Sequence, residues 1–137
     1  MVKRPTMIFV VDDDPSVRKA LKRLLSSAGF SVESFASAGE LLVSEAGTRP
    51  DLLILDVRMP GRGGLELQRE LAATGSRTPV IFITAYRDDR AHALAREGGA
   101  IAYLEKPIDD EVLLEAVERA LERGRSGLAN PEYLQEG

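Results

Sequence analysis

The chain has no cysteine, a single histidine and no long apolar run. Without cysteine, disulfides, thiol catalysis and cysteine-based zinc sites are excluded. The run Met7 to Val11 is too short for the apolar part of a signal peptide, and it ends in three acids. No stretch approaches the roughly 18 to 20 apolar residues of a membrane span. Positive charge is also in deficit: 18 Lys and Arg stand against 22 Asp and Glu, a net charge of −4. No global basic field therefore favours nucleic acid or an anionic membrane. These absences lead to the expectation of a cytoplasmic protein in a reducing compartment, with no membrane and no nucleic acid bound by this chain itself. The lone His92 falls among charges on an expected helix and is read as solvated, with no chemistry assigned. What is present is ordinary for one globular domain: 137 residues, 44% apolar and 29% charged.

Short apolar runs alternate with stretches of helical period. Strands are expected at Met7 to Val11, Val32 to Phe35, Leu52 to Leu55, Val80 to Ile83 and Ile101 to Leu104. Pro15 suits the first turn of a helix. Val17, Ala20, Leu21, Leu24, Leu25 and Ala28 follow at helical spacing, and Gly29 closes that helix. Ser37 and Glu40 have the spacing of a capping box ahead of Leu41 and Leu42. A third helix carries Leu65, Leu67 and Leu71; a fourth runs from Asp88 to Glu97 and stops at Gly98 and Gly99. The last is expected over Asp109 to Arg123, with Val112, Leu113, Ala116, Val117, Ala120 and Leu121 inward. Five βα units predict a doubly wound α/β fold. Strands one, three and four are apolar on both faces, which suits the centre of a parallel sheet. Strand two alternates and reads as an edge. With no G-x-G-x-x-G turn, the flavodoxin-like strand order 2-1-3-4-5 is favoured over the dinucleotide-binding order. Residues 124–137 lose the periodicity and read as a linker or loose end, although Asn130-Pro131-Glu132 has the form of a helix start.

Ligands of open parallel sheets bind beyond the carboxyl ends of the strands. Asp12, Asp13 and Asp14 follow the first strand, Asp56 ends the third, Thr84 ends the fourth and Lys106 follows the fifth. The fold thus gathers acids, a hydroxyl and a lysine from distant parts of the chain. Crowded carboxylates are costly unless something neutralises them. Mg²⁺ meets that need with carboxylate, carbonyl and water oxygens. Asp13 and Asp56 are the expected ligands, Asp12 is close by or acts through water, and the backbone carbonyl of Arg58 offers a further oxygen. A carboxylate can also act as a nucleophile and form an aspartyl phosphate. Lys106 would then pair with one phosphoryl oxygen and Thr84 would donate to another. Capping of the first helix would explain one of the three consecutive acids, but not all of them.

The segments VVDDD at 10–14, LILDVRMPGRGG at 53–64, VIFITAY at 80–86 and YLEKP at 103–107 together resemble response-regulator receiver domains of two-component signalling. The resemblance covers about residues 6–123, so a receiver domain is expected over 1–123 and a tail or linker over 124–137. It implies Asp56 as phosphoacceptor, Asp12 and Asp13 as the acidic metal pair, and Thr84 and Lys106 as contacts to the phosphoryl group. It implies Tyr103 as the aromatic that turns inward when Thr84 moves towards the phosphate, and a cis peptide at Lys106-Pro107. The implied donor is a phosphohistidine on a sensor histidine kinase or phosphotransfer protein. A homodimer through the face of helix four, strand five and helix five is a further implied partnership. Arg58 and Tyr86 stand where this family controls access of water to the phosphate. Both are large, so slow autodephosphorylation is expected. Gly61 and Gly63 depart from the common pattern, and a flexible loop is expected there. Arg18, Lys19, Lys22 and Arg23 form either a solvated face of the first helix or a docking patch for a kinase.

The resemblance marks a signalling switch that catalyses only its own phosphorylation and dephosphorylation. The alternative is a Mg²⁺-dependent phosphohydrolase with an Asp nucleophile. Such enzymes commonly carry a second acid two residues after the nucleophile, where this chain has Arg58. A flavin-binding carrier of the same topology would need a phosphate loop after strand one, where three aspartates stand instead. A phosphorylation-independent interaction module would lack part of the acid, hydroxyl and lysine set. A DNA-binding output, if any, would lie in a further domain.

Overall fold

The computed structural model describes residues 5–44, 49–126 and 134–136. The elements are β1 (Met7–Val11), α1 (Pro15–Ser27), β2 (Ser31–Phe35), α2 (Ala38–Val43), β3 (Leu52–Asp56), α3 (Gly64–Ala73), β4 (Val80–Thr84), α4 (Asp89–Glu97), β5 (Ala102–Glu105), α5 (Asp110–Ser126) and β6 (Leu134–Glu136). All strands are parallel, in the order β2-β1-β3-β4-β5-β6. The expected five-strand order is therefore present, with one short strand added at the β5 edge.

Alternation along the strands sorts the core into two layers. Ile8, Val10, Leu52, Ile54, Ile81 and Ile83 point to one face, where Leu21 and Leu25 of α1 and Leu113, Ala116, Val117, Ala120 and Leu121 of α5 cover them. Phe9, Val11, Leu53, Leu55, Val80 and Phe82 point to the other, under Leu41, Leu67, Ala91 and Ala95. β3 and β4 are buried at every position, as central strands covered on both faces must be. On α1, Ala20 and Ala28 are exposed despite their helical spacing, and the buried stripe narrows to Leu21 and Leu25. Among the described residues, no helix is long and apolar enough to cross a membrane.

Local signals place the helix ends. Asp14 caps α1 by accepting from the Ser16 amide at 2.8 Å. Ser37 Oγ accepts from the Glu40 amide at 3.1 Å, and Glu40 Oε1 reaches back to the Ala36 amide at 3.0 Å. Gly29 takes a φ of +97° after α1 and Gly99 one of +90° after α4. Boundaries differ slightly from the sequence expectation. β5 begins at Ala102 rather than Ile101, Asp88 is the cap of α4 rather than its first turn, and α5 continues to Ser126. β6 is the one element not expected. It pairs Leu134, Gln135 and Glu136 with Ala102, Tyr103 and Leu104. Three residues carry too little periodicity to read as a strand; only the open edge of β5 defines it. The proposed helix start at residues 130–132 lies outside the described residues.

Candidate functional site

β1 pairs with β3, β3 with β4 and β4 with β5, so their carboxyl ends lie side by side. Asp12 leaves β1 completely buried, Asp56 ends β3 at 4% exposure, and Thr84 ends β4 completely buried. They are the buried polar residues among the described part of the chain, and they converge on one place. Asp13 stands exposed beside them. Asp12, Asp13 and Asp56 each offer a carboxylate oxygen, and these atoms lie within 4.8 Å of one another. The three consecutive acids have thus separated into three roles: Asp12 is buried, Asp13 faces solvent at the cluster, and Asp14 caps α1.

Lys106 closes the pocket from the β5 side. Its Nζ lies 2.9 Å from Asp12 Oδ2 and 3.5 Å from Asp56 Oδ2. The Lys106 amide donates to the Thr84 carbonyl at 2.7 Å, and the Lys106-Pro107 peptide is cis. Burial alone would lower the Lys106 pKa, but the bond to Asp12 and the charges of Asp12 and Asp56 raise it instead. The lysine is charged in this setting. Asp56 is raised as well, which for a carboxylate disfavours the charged form. Burial and the negative charge of Asp12 push it up to about 7, against the pull of Lys106 and of the Arg58 amide. One lysine does not balance two buried carboxylates. The donor set is all oxygen, and it fits a hard divalent cation of few protein ligands.

Two donors near Asp56 are held by the loop after β4. Thr84 Oγ1 donates to the Tyr86 carbonyl at 3.0 Å and accepts from the Tyr86 amide at 3.1 Å. Arg58 donates its amide to Asp56 Oδ1 at 3.2 Å. Its guanidinium pairs with Asp88 Oδ2 at 2.9 Å and lies over the Tyr86 ring, 5.5 Å from the centroid. Tyr103 is buried in the inward position, stacked on His92 with centroids 4.6 Å apart and rings 12° from parallel. Its hydroxyl is buried and makes no well-formed hydrogen bond. Thr84 is near enough to affect its ionisation, but the threonine hydroxyl is already committed to Tyr86. Burial raises the tyrosine pKa.

Several contributors had no clear signal in the sequence. His92, expected to be solvated, packs its ring on Tyr103, and burial lowers its pKa. Stacking between α4 and β5 depends on how those elements meet, which no local pattern encodes. Arg18 is not simply part of a solvated face, because its guanidinium donates to the Asp12 carbonyl at 2.7 Å. Lys19, Lys22 and Arg23 remain exposed. The glycines after β3 serve close approach as well as freedom. Gly61 has a φ of +79°. A Cβ on Gly63 would meet the Val57 carbonyl at 2.7 Å, and one on Gly64 would strike the Asp56 carbonyl and meet Phe82 at 3.2 Å. The run of glycines was the available signal, and it marks contact with the backbone of β3.

Fold and site together define a doubly wound α/β domain with an acid- and lysine-lined pocket at the sheet's carboxyl edge. The family model described as response regulator receiver domain matches residues 8–118. Nodulation protein W of Bradyrhizobium diazoefficiens is 46% identical over 122 residues, covering 87% of this chain and 52% of that protein. Response regulator protein TodT of Pseudomonas putida is 38% identical over 136 residues, 99% of this chain and 60% of that protein. A CheY-like response regulator receiver domain protein from Methanospirillum hungatei JF-1 superposes with a TM-score of 0.84 at 27% identity, covering 91% of this chain and all of that one. The chain belongs to the response regulator receiver domain family. As a receiver domain it is a phosphoryl-accepting signalling switch of two-component systems. It spans roughly half the length of the curated relatives just named.

Proposed function

We propose that this domain accepts a phosphoryl group on Asp56 from a phosphohistidine of a sensor histidine kinase or phosphotransfer protein. The observation that carries this reading is the pocket of Asp12, Asp56 and Lys106, two buried carboxylates braced by one amine at 2.9 and 3.5 Å. Asp12, Asp13 and Asp56 would hold Mg²⁺, with Asp12 either a direct ligand or acting through water and the Arg58 carbonyl as a further oxygen. When bound, the ion offsets negative charge on the transferring group. An Asp56 oxygen attacks phosphorus, the bond from phosphorus to the histidine nitrogen breaks, and the imidazole keeps the electron pair. Lys106 pairs with a phosphoryl oxygen. Thr84 leaves the Tyr86 carbonyl and donates to another, and Tyr103, already inward, fills the space behind it. Attack of water on phosphorus then restores Asp56 and releases inorganic phosphate. Catalysis by the domain is confined to these two steps on itself.

We assign the receiver domain to residues 1–123, which leaves the end of α5 and β6 in the 124–137 tail, and that tail would lead towards an output carried by a partner or by a further domain. A phosphorylation-dependent homodimer through α4, β5 and α5 would have to accommodate β6, which lies along β5. The phosphohydrolase reading is disfavoured by Arg58, which pairs with Asp88 where that chemistry wants an acid. The test is intact mass after incubation with Mg²⁺ and acetyl phosphate. A single Mg²⁺-dependent phosphoryl adduct on the wild type, absent from Asp56→Asn, is expected. An equal adduct on the variant would place the acceptor elsewhere.

A further inference from the structure

Arg58 and Asp88 form a link that phosphoryl transfer itself does not require. The Arg58 amide sits 3.2 Å from Asp56 Oδ1, so one side-chain length separates its guanidinium from the acceptor carboxylate. That guanidinium is turned away, paired with Asp88 Oδ2 at 2.9 Å and resting over Tyr86. The two oxygens of Asp88 do different work. Oδ1 accepts from the Arg90 and Ala91 amides at 3.0 and 3.1 Å and caps α4; Oδ2 holds Arg58. One acid therefore ties the loop after β3 to the first turn of α4. The Thr84 hydroxyl is parked on the same loop, at Tyr86. Asp88 keeps its carboxyl below the usual range mainly through the capping bonds, with the Arg58 contact adding to them.

A phosphoryl group on Asp56 brings close to two negative charges and three acceptor oxygens. It outcompetes a single carboxylate for a guanidinium, whose planar fork suits it. The existing pair is weak enough to yield: the Arg58 side chain is 56% exposed and that of Asp88 33%. We propose that Arg58 is a switchable phosphoryl ligand. Asp88 holds it in the unphosphorylated domain. Phosphorylation of Asp56 transfers its ion pair to the phosphoryl oxygens and unties the β3–α3 loop from the N-terminus of α4. This rests on Asp56 as acceptor, and it goes beyond shielding the phosphate from water, for which bulk suffices.

Beryllofluoride with Mg²⁺ serves as a stable stand-in for the phosphoryl group. Its affinity is measured by calorimetry for wild type, Asp88→Asn, Arg58→Ala and the double variant, and the Arg58 Nε signal is followed by NMR. Asparagine still caps a helix but does not hold a cation by charge. Asp88→Asn should tighten binding about two- to fivefold, the scale of an exposed ion pair. Arg58→Ala should weaken it by a similar factor, and the gain from Asp88→Asn should vanish without Arg58. On wild type, the Nε signal should move when beryllofluoride binds. An unchanged or weaker affinity for Asp88→Asn, the same gain without Arg58, or an unmoved Nε signal overturns the exchange while leaving Asp56 as acceptor. Failure of the folded wild type to bind beryllofluoride at all removes the acceptor reading and the exchange with it.

Discussion

Replacing Asp56 by asparagine should stabilise the metal-free protein at neutral pH. The carboxyl is 4% exposed, and burial together with the charge of Asp12 pushes it from 3.8 up to about 7. The folded-state value lies above the unfolded one, which fixes the sign. Below about pH 4 the group is neutral in both states and costs nothing. Between there and about pH 7 the unfolded chain loses its proton first, so stability falls as pH rises. Above about pH 7 the full cost is present. At about 1.4 kcal/mol per pH unit, a rise from 3.8 to about 7 sets a ceiling of about 4 kcal/mol. Asp13 stands exposed at the mouth of the cluster, where water and mobile ions reach the pocket. Their screening leaves an expected gain of about 1–2 kcal/mol. Urea unfolding with a chelator present reads it directly. The asparagine variant should be more stable at pH 7.5, and the difference should nearly close at pH 4. Adding Mg²⁺ at ten times its dissociation constant should return about 1.4 kcal/mol to the wild type and less to the variant. A variant no more stable than wild type at pH 7.5, or a difference independent of pH, would refute the electrostatic reasoning.

Gly64→Ala should destabilise the fold by about 1–3 kcal/mol in urea and reduce the phosphoryl adduct, because the methyl group strikes the Asp56 carbonyl; an unchanged midpoint would show that the loop relaxes freely. An Arg58→Ala, Tyr86→Ala double variant should lose phosphate faster than the wild type when the decay of the adduct is followed by intact mass. No change would mean that these side chains do not shield the acyl phosphate. Ending the chain at Ser126 removes β6 and leaves the outer edge of β5 unpaired, so self-association should rise in sedimentation velocity; the same monomer fraction as the full chain would count against that role for β6.

The fold was legible because two periodicities alternate without interruption. β1, β3 and β4 are apolar at nearly every position, and each is followed by a stripe of helical period. Asp12, Asp13, Asp56, Thr84 and Lys106 were legible because strand ends are fixed by those same patterns, and the sheet order then makes neighbours of them. What the sequence did not disclose depends on contacts between elements. The His92 ring on Tyr103, the Arg18 hold on the Asp12 carbonyl and the Arg58 pair with Asp88 join residues whose spacing carries no repeat. The glycines at 63 and 64 were visible as glycines, but the close approach they serve was not. Only the path of β3 reveals that side chains there would collide with it. β6 failed to register for a related reason: its definition lies in the partner strand and not in its own three residues.

Charge balance gives the site its logic. Asp12 and Asp56 are buried together, and the sheet supplies one amine between them. That leaves a deficit of positive charge which Asp13, at the rim, deepens. A bound cation would settle the deficit in the resting domain, yet the acyl phosphate then carries close to two negative charges where the carboxylate carried one. The donors able to meet them are not idle in solvent. The Thr84 hydroxyl and the Arg58 guanidinium are both held by residues 86 and 88, in the segment that leads into α4. Drawing those donors to Asp56 would therefore break their bonds to that segment, while the Asp88 Oδ1 cap of α4 stays in place. On the proposed exchange, the chemistry at the end of β3 would be coupled to the segment entering α4 by the choice of hydrogen-bond and ion-pair partners at residues 86 and 88.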